Sequence, residues 1–336
     1  MTRVQTINDI ARLAGVSKST VSRALNDSPL IGVETKERIR AIAQEHEFQL
    51  NAQAQRLSRR QSQVVGLPMF DWGKGPATMD LFMLEIMGGI SSGLHEQGYD
   101  LLVLQVPIAD VNWARRTIDS GRADGFVLLS ASCSPETVET LVEAEIPFVI
   151  WGAASPEHAY CSVTGDSFAG GRLATAHLLE TGRQRIALVG GPEWSWEIRD
   201  RRRGYEAALG DAGLGVDPSL VVHTPWSAAE RSAAAAVAGL LEHEPELDGI
   251  VANSDFFALG AIDALRGLGR RVPEDVGVVG YDDVSVAAFA NPPLTTIRQD
   301  GPLAGRLLAR GLVQYLQTGA VSSSTIPAQL VVRGSA

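Results

Sequence analysis

Lys18, Ser19, Ser22 and Arg23 are spaced so that all four share one outward face if the chain is helical there. On such a face an arginine can take guanine edges, and a lysine can take bases or phosphate. The competing account is a solvated basic face on a protein-interaction module. A second candidate is "GISSG", residues 89–93, which fits the G-x-S-x-G pattern of a serine nucleophile. That chemistry needs a strand before the serine and a sharp turn at it. Here Met83, Leu84, Met87, Ile90 and Leu94 run through the motif at helical spacing, which makes Ser91 a small helix residue. The sequence has no histidine pair at metal spacing and no phosphate-cradling loop. Binding rather than catalysis is expected, with no cofactor and no metal.

The elements that would position the first group are short. "TINDIARLAGVSKSTVSRALN" reads as two helices joined by a tight turn. Thr6 can cap the first helix and Ser17 the second, which continues through Lys18, Ser19, Thr20, Ser22 and Arg23. Ile7, Ile10, Ala11 and Ala14 form one apolar face, and Val21, Ala24 and Leu25 another. A third helix follows in "ETKERIRAIAQEHEF", with Ile39, Ile42, Ala43 and Phe48 inward. The spacing Ala11, Gly15, Val21 is a helix-turn-helix pattern: a small residue at the crossing, a glycine at the turn, a β-branched residue between the helices. Charge agrees with a nucleic-acid role for this stretch. Residues 1–62 hold ten basic and six acidic side chains, whereas the rest hold 19 and 33, within an overall charge of −10.

"LNAQAQRLSRRQS", residues 50–62, is polar and basic around a single leucine, Leu57. It has no apolar stripe to dock on a core, and isolated helices of this length are marginal in water. With the preceding pattern, this segment resembles the headpiece and hinge of the lactose-repressor family of bacterial transcription regulators. The resemblance implies that the hinge folds on DNA and that Leu57 wedges into a base step of the minor groove, one turn after Ala54. Asn51 would cap this hinge helix, and Arg60, with Arg56 and Arg59, would meet phosphates. One departure is "FQLN", residues 48–51, where the family usually has Tyr-x-Pro-Asn.

From residue 63 onward, short β-rich runs alternate with amphipathic helical runs such as 82–97 and 227–243. The strand candidates are "VVGLPMF", "DLLVLQV", "DGFVLL", "PFVIW", "RIALVGG", "DGIVAN" and "VGVVGYDD". Near-continuous apolar strands between helices imply α/β architecture with parallel sheets covered on both faces. Ligands in such folds bind beyond the carboxyl ends of the strands. The resemblance extends over this body, implying a two-lobed sensor similar to periplasmic sugar-binding proteins. The expected organisation is a small all-α helix-turn-helix headpiece over 1–49, a hinge helix over 50–62 and a sensor over 63–336. Lobe 1 would take about 63–163 and 294–322, and lobe 2 about 164–293 and 323–336.

The resemblance also places the ligand contacts. They are Phe82, Arg201, Trp226, Asp255, Asp282 and Gln299, with Ser254 replacing an asparagine of the family signature. Gly152 stands where the lactose repressor has a sugar-binding aspartate, and Trp194 and Trp196 enrich a loop that is often aliphatic. Asp255 and Asp282 could instead cap helices, Arg201 belongs to a run of arginines, and Trp226 could be core. Aromatic faces with carboxylate and arginine forks suit a hydroxyl-rich ligand; a purine or an anionic metabolite is the alternative. The implied protein is a dimeric repressor of carbohydrate-utilisation genes acting on pseudo-palindromic double-stranded operator DNA, its affinity switched by a small sugar. "LVVRGS" with no leucine-heptad tail fits a dimer rather than a tetramer. No apolar run reaches membrane length, the N-terminus lacks an export-signal core, and Cys133 and Cys161 are far apart, so a cytoplasmic, nucleoid-associated location is expected. A transport-type binding protein and a sugar-acting enzyme are the rival classes; the basic headpiece and the lack of an assembled catalytic group argue against them.

Overall fold

The computed structural model describes the chain apart from residues 1–5, 26, 47, 49–60, 72–80, 108, 109, 111, 131, 132, 153–159, 227 and 228. The expectations for Asn51, Ala54, Leu57 and Arg60 fall outside the described residues. The chain divides into two units, Met1–Ser62 and Gln63–Ala336.

The first unit holds three helices, α1 (Ile7–Ala14), α2 (Lys18–Leu25) and α3 (Val33–Glu45). Thr6 and Asp9 form a reciprocal capping box at the start of α1. Gly15 then turns the chain in the left-handed region at φ 65, a conformation that costs glycine no Cβ clash. Ser17 opens α2, its Oγ accepting the Thr20 N–H at 3.1 Å. Ile10, Ala11, Ala14, Val21, Ala24, Ile39 and Ala43 close a small core. Asp27, at φ 57, ties the turn after α2 to α3 through Lys36 at 3.0 Å and Arg40 at 2.8 Å.

The second unit contains two six-stranded sheets. In chain order its elements are β1 (Val64–Asp71), α4 (Leu81–His95), β2 (Asp100–Pro107), α5 (Trp113–Asp119), β3 (Gly125–Leu129), α6 (Pro135–Glu143), β4 (Phe148–Trp151) and β5 (Cys161–Gly165). Next come α7 (Ser167–Glu180), β6 (Ile186–Val189), α8 (Trp196–Asp211), β7 (Val221–Val222), α9 (Ala229–His243), β8 (Gly249–Ala252), α10 (Asp255–Gly267) and β9 (Gly277–Asp282). The last are α11 (Ser285–Phe289), β10 (Thr295–Arg298), α12 (Gly301–Thr318), β11 (Ser323–Ile326) and β12 (Gln329–Val331). The first sheet runs β11-β5-β4-β3-β1-β2, the second β12-β10-β9-β8-β6-β7. Strand pairing is parallel throughout except between β10 and β12.

Helices cover both faces of each sheet, which is why the central strands are buried along their whole length. In the second lobe successive residues of β8 serve opposite cores. Ile250 and Ala252 pack with Val237 and Phe257 of α9 and α10, and Val251 with Leu178 and Tyr205 of α7 and α8. The "GISSG" motif lies inside α4, and Ser91 is an exposed helical residue. Its glycines serve a helix crossing: a Cβ on Gly89 would collide with the Pro302 carbonyl, and one on Gly305 with that of Ile86.

Two expected lobe boundaries are corrected. β10 belongs to the second sheet, pairing Thr295 with Val279, and β11 belongs to the first, pairing Ser323 with Ser162. The last two crossings between lobes therefore fall at residues 299–300 and 327–328, later than expected. The first falls at Asp166, whose N–H donates to the Ile326 carbonyl at 2.9 Å, so two crossings run side by side. These strands are short and lack the long apolar runs that marked the others.

Candidate functional site

Two surfaces gather the residues singled out above. On the first unit, Lys18, Ser19 and Arg23 project from α2 into solvent, with Ser22 half-buried. Val21 and Ala24, fully buried on the opposite side, fix that face outward. The hydroxyl of Thr20 is bonded to Ser17 Oγ at 2.8 Å and that of Thr6 donates to Asp9 Oδ2 at 2.8 Å. Thr6, Ser17 and Thr20 thus build the helix starts, and Lys18, Ser19 and Arg23 remain as an exposed face able to enter a groove.

The second surface lies at the carboxyl ends of both sheets in the sensor. Arg201 projects from α8 and is only 5% exposed. Its guanidinium lies 3.6 Å from the centre of the Tyr281 ring, and Nη1 donates to the Asn253 carbonyl at 2.6 Å. Close glycine contacts set this helix: a Cβ on Gly171 of α7 would strike the Arg201 carbonyl, and one on Gly204 the Phe168 carbonyl. Asn253, at the end of β8, donates from Nδ2 to the Gly190 carbonyl at 2.7 Å. Thr224 and His223 both bond the Gly191 carbonyl, at 3.3 and 3.2 Å. Trp226 packs against Phe257 with ring centres 5.4 Å apart.

Around this small loop five buried polar atoms have no hydrogen-bond partner among the described residues: Arg201 Nε, Asn253 Oδ1, His223 Nε2, Thr224 Oγ1 and Trp226 Nε1. Each buried polar atom left unbonded costs roughly 1–3 kcal/mol. Their concentration beyond the strand ends matches what a polar ligand would relieve.

Asp282 closes the set. It ends β9 with φ 110, a conformation few residues other than glycine adopt, and strain of this kind concentrates at functional sites. The neighbouring Asp283 is clamped by Arg298 at 2.6 Å and Arg333 at 2.5 Å, which anchors the turn. Asp282 Oδ1 accepts from Gln299 Nε2 at 2.8 Å. Gln299 sits on an interlobe crossing, its Oε1 occupying the space beside Gly165. On the first lobe Phe82 stands edge-on to Trp151, ring centres 5.7 Å apart. Arg201, Trp226, Asp282, Gln299 and Phe82 therefore form one connected set.

Asp255 stands apart from this set. It is fully buried, with Oδ2 accepting the Val284 N–H at 2.8 Å and Oδ1 the Thr296 hydroxyl at 2.6 Å. Burial raises its carboxyl to about 7 against these two bonds, which favour the ionised form. It is a clip between the β9–α11 turn and β10. The cap of α10 is Ser254, whose Oγ accepts the Phe257 N–H at 3.3 Å.

The sequence reading missed Asn253, Trp151 and a polar contact between the lobes. Ser130, after β3, donates to Glu197 Oε1 at the start of α8, and Ser195 donates to Glu197 Oε2 at 2.7 Å. A Cβ on Gly152 would stand 2.8 Å from that Glu197 oxygen. Glu197 of the opposite lobe thus holds its carboxylate beside Gly152. Burial, then the nearby Glu197 charge, pushes the Cys133 thiol up to about 12, so it behaves as an inert apolar filler. Among the described residues there is no cluster of three or more metal-ligating side chains, and no helix is long and apolar enough to cross a membrane.

A family model for "Bacterial regulatory proteins, lacI family" matches residues 6–51, and one for "Periplasmic binding protein-like domain" matches residues 175–336. The HTH-type transcriptional regulator CelR of Thermobifida fusca is 35% identical over 334 residues, covering 98% of this chain and 96% of that protein. A solved complex of the transcriptional regulator CelR with cellobiose superposes with a TM-score of 0.75 at 33% identity, covering 99% of this chain and 100% of that one. A lac repressor dimer bound to operator and the anti-inducer ONPF gives a TM-score of 0.81 at 28% identity, covering 98% of each chain. The exposed α2 face, the two-lobed sensor and an identity that runs nearly end to end lead to one conclusion: the chain belongs to the lacI family of DNA-binding bacterial transcription regulators.

Proposed function

We propose that this chain is a homodimeric, effector-responsive repressor of carbohydrate-utilisation genes, acting on a pseudo-palindromic operator in the cytoplasm. The observation that carries the effector reading is the connected set around Arg201, with five buried polar atoms beyond the strand ends that have no partner among the described residues. Arg201, Asp282 and Gln299 offer donors and acceptors suited to hydroxyls, and Trp226 and Phe82 offer apolar faces. The CelR structure with cellobiose and the lac repressor dimer on operator support a sugar effector and a dimer for this chain. Phe289, 88% exposed on α11, is an apolar side chain that a second copy would cover.

The effector shifts operator binding only by its different affinity for two lobe arrangements. The three interlobe crossings are where those arrangements differ, and Gln299 lies on one of them. Leu57→Ala should weaken specific operator binding while the melting temperature stays put.

The test is a paired titration. Operator selected from a random duplex pool is bound by wild type and by Asp282→Asn at increasing sugar concentration. The expected outcome is equal operator affinity without sugar, with the variant needing about tenfold more sugar or beyond, since losing a buried charged acceptor costs roughly 1–3 kcal/mol. An identical sugar response in both proteins would overturn the site; loss of operator binding without sugar would make Asp282 structural.

A further inference from the structure

Trp194 and Trp196 have no part in the set around Arg201. They lie on the loop from β6 into α8, the helix that carries Arg201. Trp194 is 44% exposed and Trp196 39%, although tryptophan is buried on average. Between them Ser195 is buried and bonded to Glu197, which accepts from Ser130 of the other lobe. The two indoles therefore flank a segment through which the lobes touch. Arg199 secures them: its guanidinium carbon stands 4.5 Å from the centre of the Trp196 ring, and Nη2 donates to the Trp194 carbonyl at 3.1 Å. That contact fixes the loop and shields part of one ring, leaving indole surface in water.

We infer that Trp194 and Trp196 form an outer subsite that stacks on a second pyranose ring, so that the effector is a disaccharide or longer oligosaccharide. An indole held by its own helix start offers a rigid π face at little cost in conformational entropy, and the CH face of a pyranose is its natural partner. Arg201, Asp282 and Gln299 are buried deeper and take the first ring; the tryptophans at the mouth meet only a sugar that extends out of it. This inference rests on the carbohydrate reading above, and its test separates the two.

Full-length wild type and the Trp194→Ala/Trp196→Ala double variant are titrated calorimetrically with glucose, galactose, cellobiose, cellotriose, maltose and maltotriose. In wild type at least one oligosaccharide should bind tenfold or more tightly than either monosaccharide. The double variant should lose that advantage, roughly tenfold per stacked ring, while its monosaccharide affinity is unchanged. Both indoles are surface groups, so unchanged melting of the variant accompanies the expected result; a Trp194→Phe/Trp196→Phe pair, which keeps aromatic faces, should recover part of the advantage. An oligosaccharide advantage that survives the double variant overturns the subsite while leaving the inner site intact. So does monosaccharide binding as tight as the best oligosaccharide, or a changed oligomeric state of the variant with unchanged sugar affinity. If no sugar in the series binds wild type, the carbohydrate reading fails and the subsite with it.

Discussion

Replacing Asp255 by asparagine should make the protein more stable at pH 8 and remove a pH dependence that wild type carries. The carboxyl is fully buried and raised from 3.8 to about 7, chiefly by burial. A folded-state value above the unfolded one means that the native protein holds a proton which the unfolded chain has released. The stabilisation from that proton is complete below pH 3.8 and is lost as pH rises through about 7. The shift sets a ceiling of roughly 4 kcal/mol on the stability lost between those limits. Asparagine is neutral at every pH. Its carbonyl can keep the Val284 N–H and its amide can donate to Thr296 Oγ1, at the cost of turning the threonine hydroxyl, about 1 kcal/mol and independent of pH. Urea unfolding of both full-length proteins from pH 5 to 8.5, followed by tryptophan fluorescence, measures the difference. The Asp255→Asn variant should be neutral or slightly worse at pH 5 and better by one to a few kcal/mol, on the order of the ceiling, at pH 8. A difference that does not change with pH would show that the carboxyl carries no proton. A variant that is much less stable at pH 8 would show that Asp255 is needed as an anion, with Arg333 as its counter-charge. Sugar affinity should be unchanged, since Asp255 touches none of the Arg201 set.

Gly152→Asp brings a second carboxylate against Glu197; sugar affinity should fall at least about tenfold, and adding Glu197→Gln should recover part of it in calorimetry. Gly171→Ala drives a methyl into the Arg201 carbonyl, so it should cost roughly 1–3 kcal/mol in urea unfolding and weaken sugar binding although Arg201 itself is intact. Arg23→Ala should relax operator base preference at a cost of about 1–3 kcal/mol if the guanidinium reads a base edge; an equal loss on all duplexes would make it a phosphate contact. Lys18→Ala should lower the salt dependence of operator binding by about one counterion if Lys18 meets a phosphate.

Local patterns carried much of this into the sequence. Ala11, Gly15 and Val21 act within one supersecondary motif, so their spacing is enough to define the headpiece. β3, β4, β6, β8 and β9 are buried on both sides, so each reads as an apolar run. The strands without an apolar run of their own, β5, β7 and β11, did not stand out, and which sheet β10 and β11 join depends on distant partners. The same limit governs the site. Arg201 was legible through its motif, but Asp255 is turned inward by Val284 and Thr296, 29 and 41 residues away. Nothing near Asp255 in the chain distinguishes an acid facing a ligand from one clipping a turn. Glu197 and Ser130 lie 67 residues apart, and their meeting follows from how the lobes face each other.

The interleaving of the two lobes also governs how the protein comes off the ribosome. α12, which covers the core of the first sheet, and β10, an interior strand of the second, both lie beyond residue 294, and the edge strands β11 and β12 follow them. A nascent chain can complete its headpiece core from residues 10–43 early in synthesis. Neither sensor lobe can close until the last of these strands has emerged. A premature stop before residue 295 would therefore leave the headpiece helices whole while depriving both lobes at once of the segments that seal them. The product would keep its headpiece core and have no completed sensor.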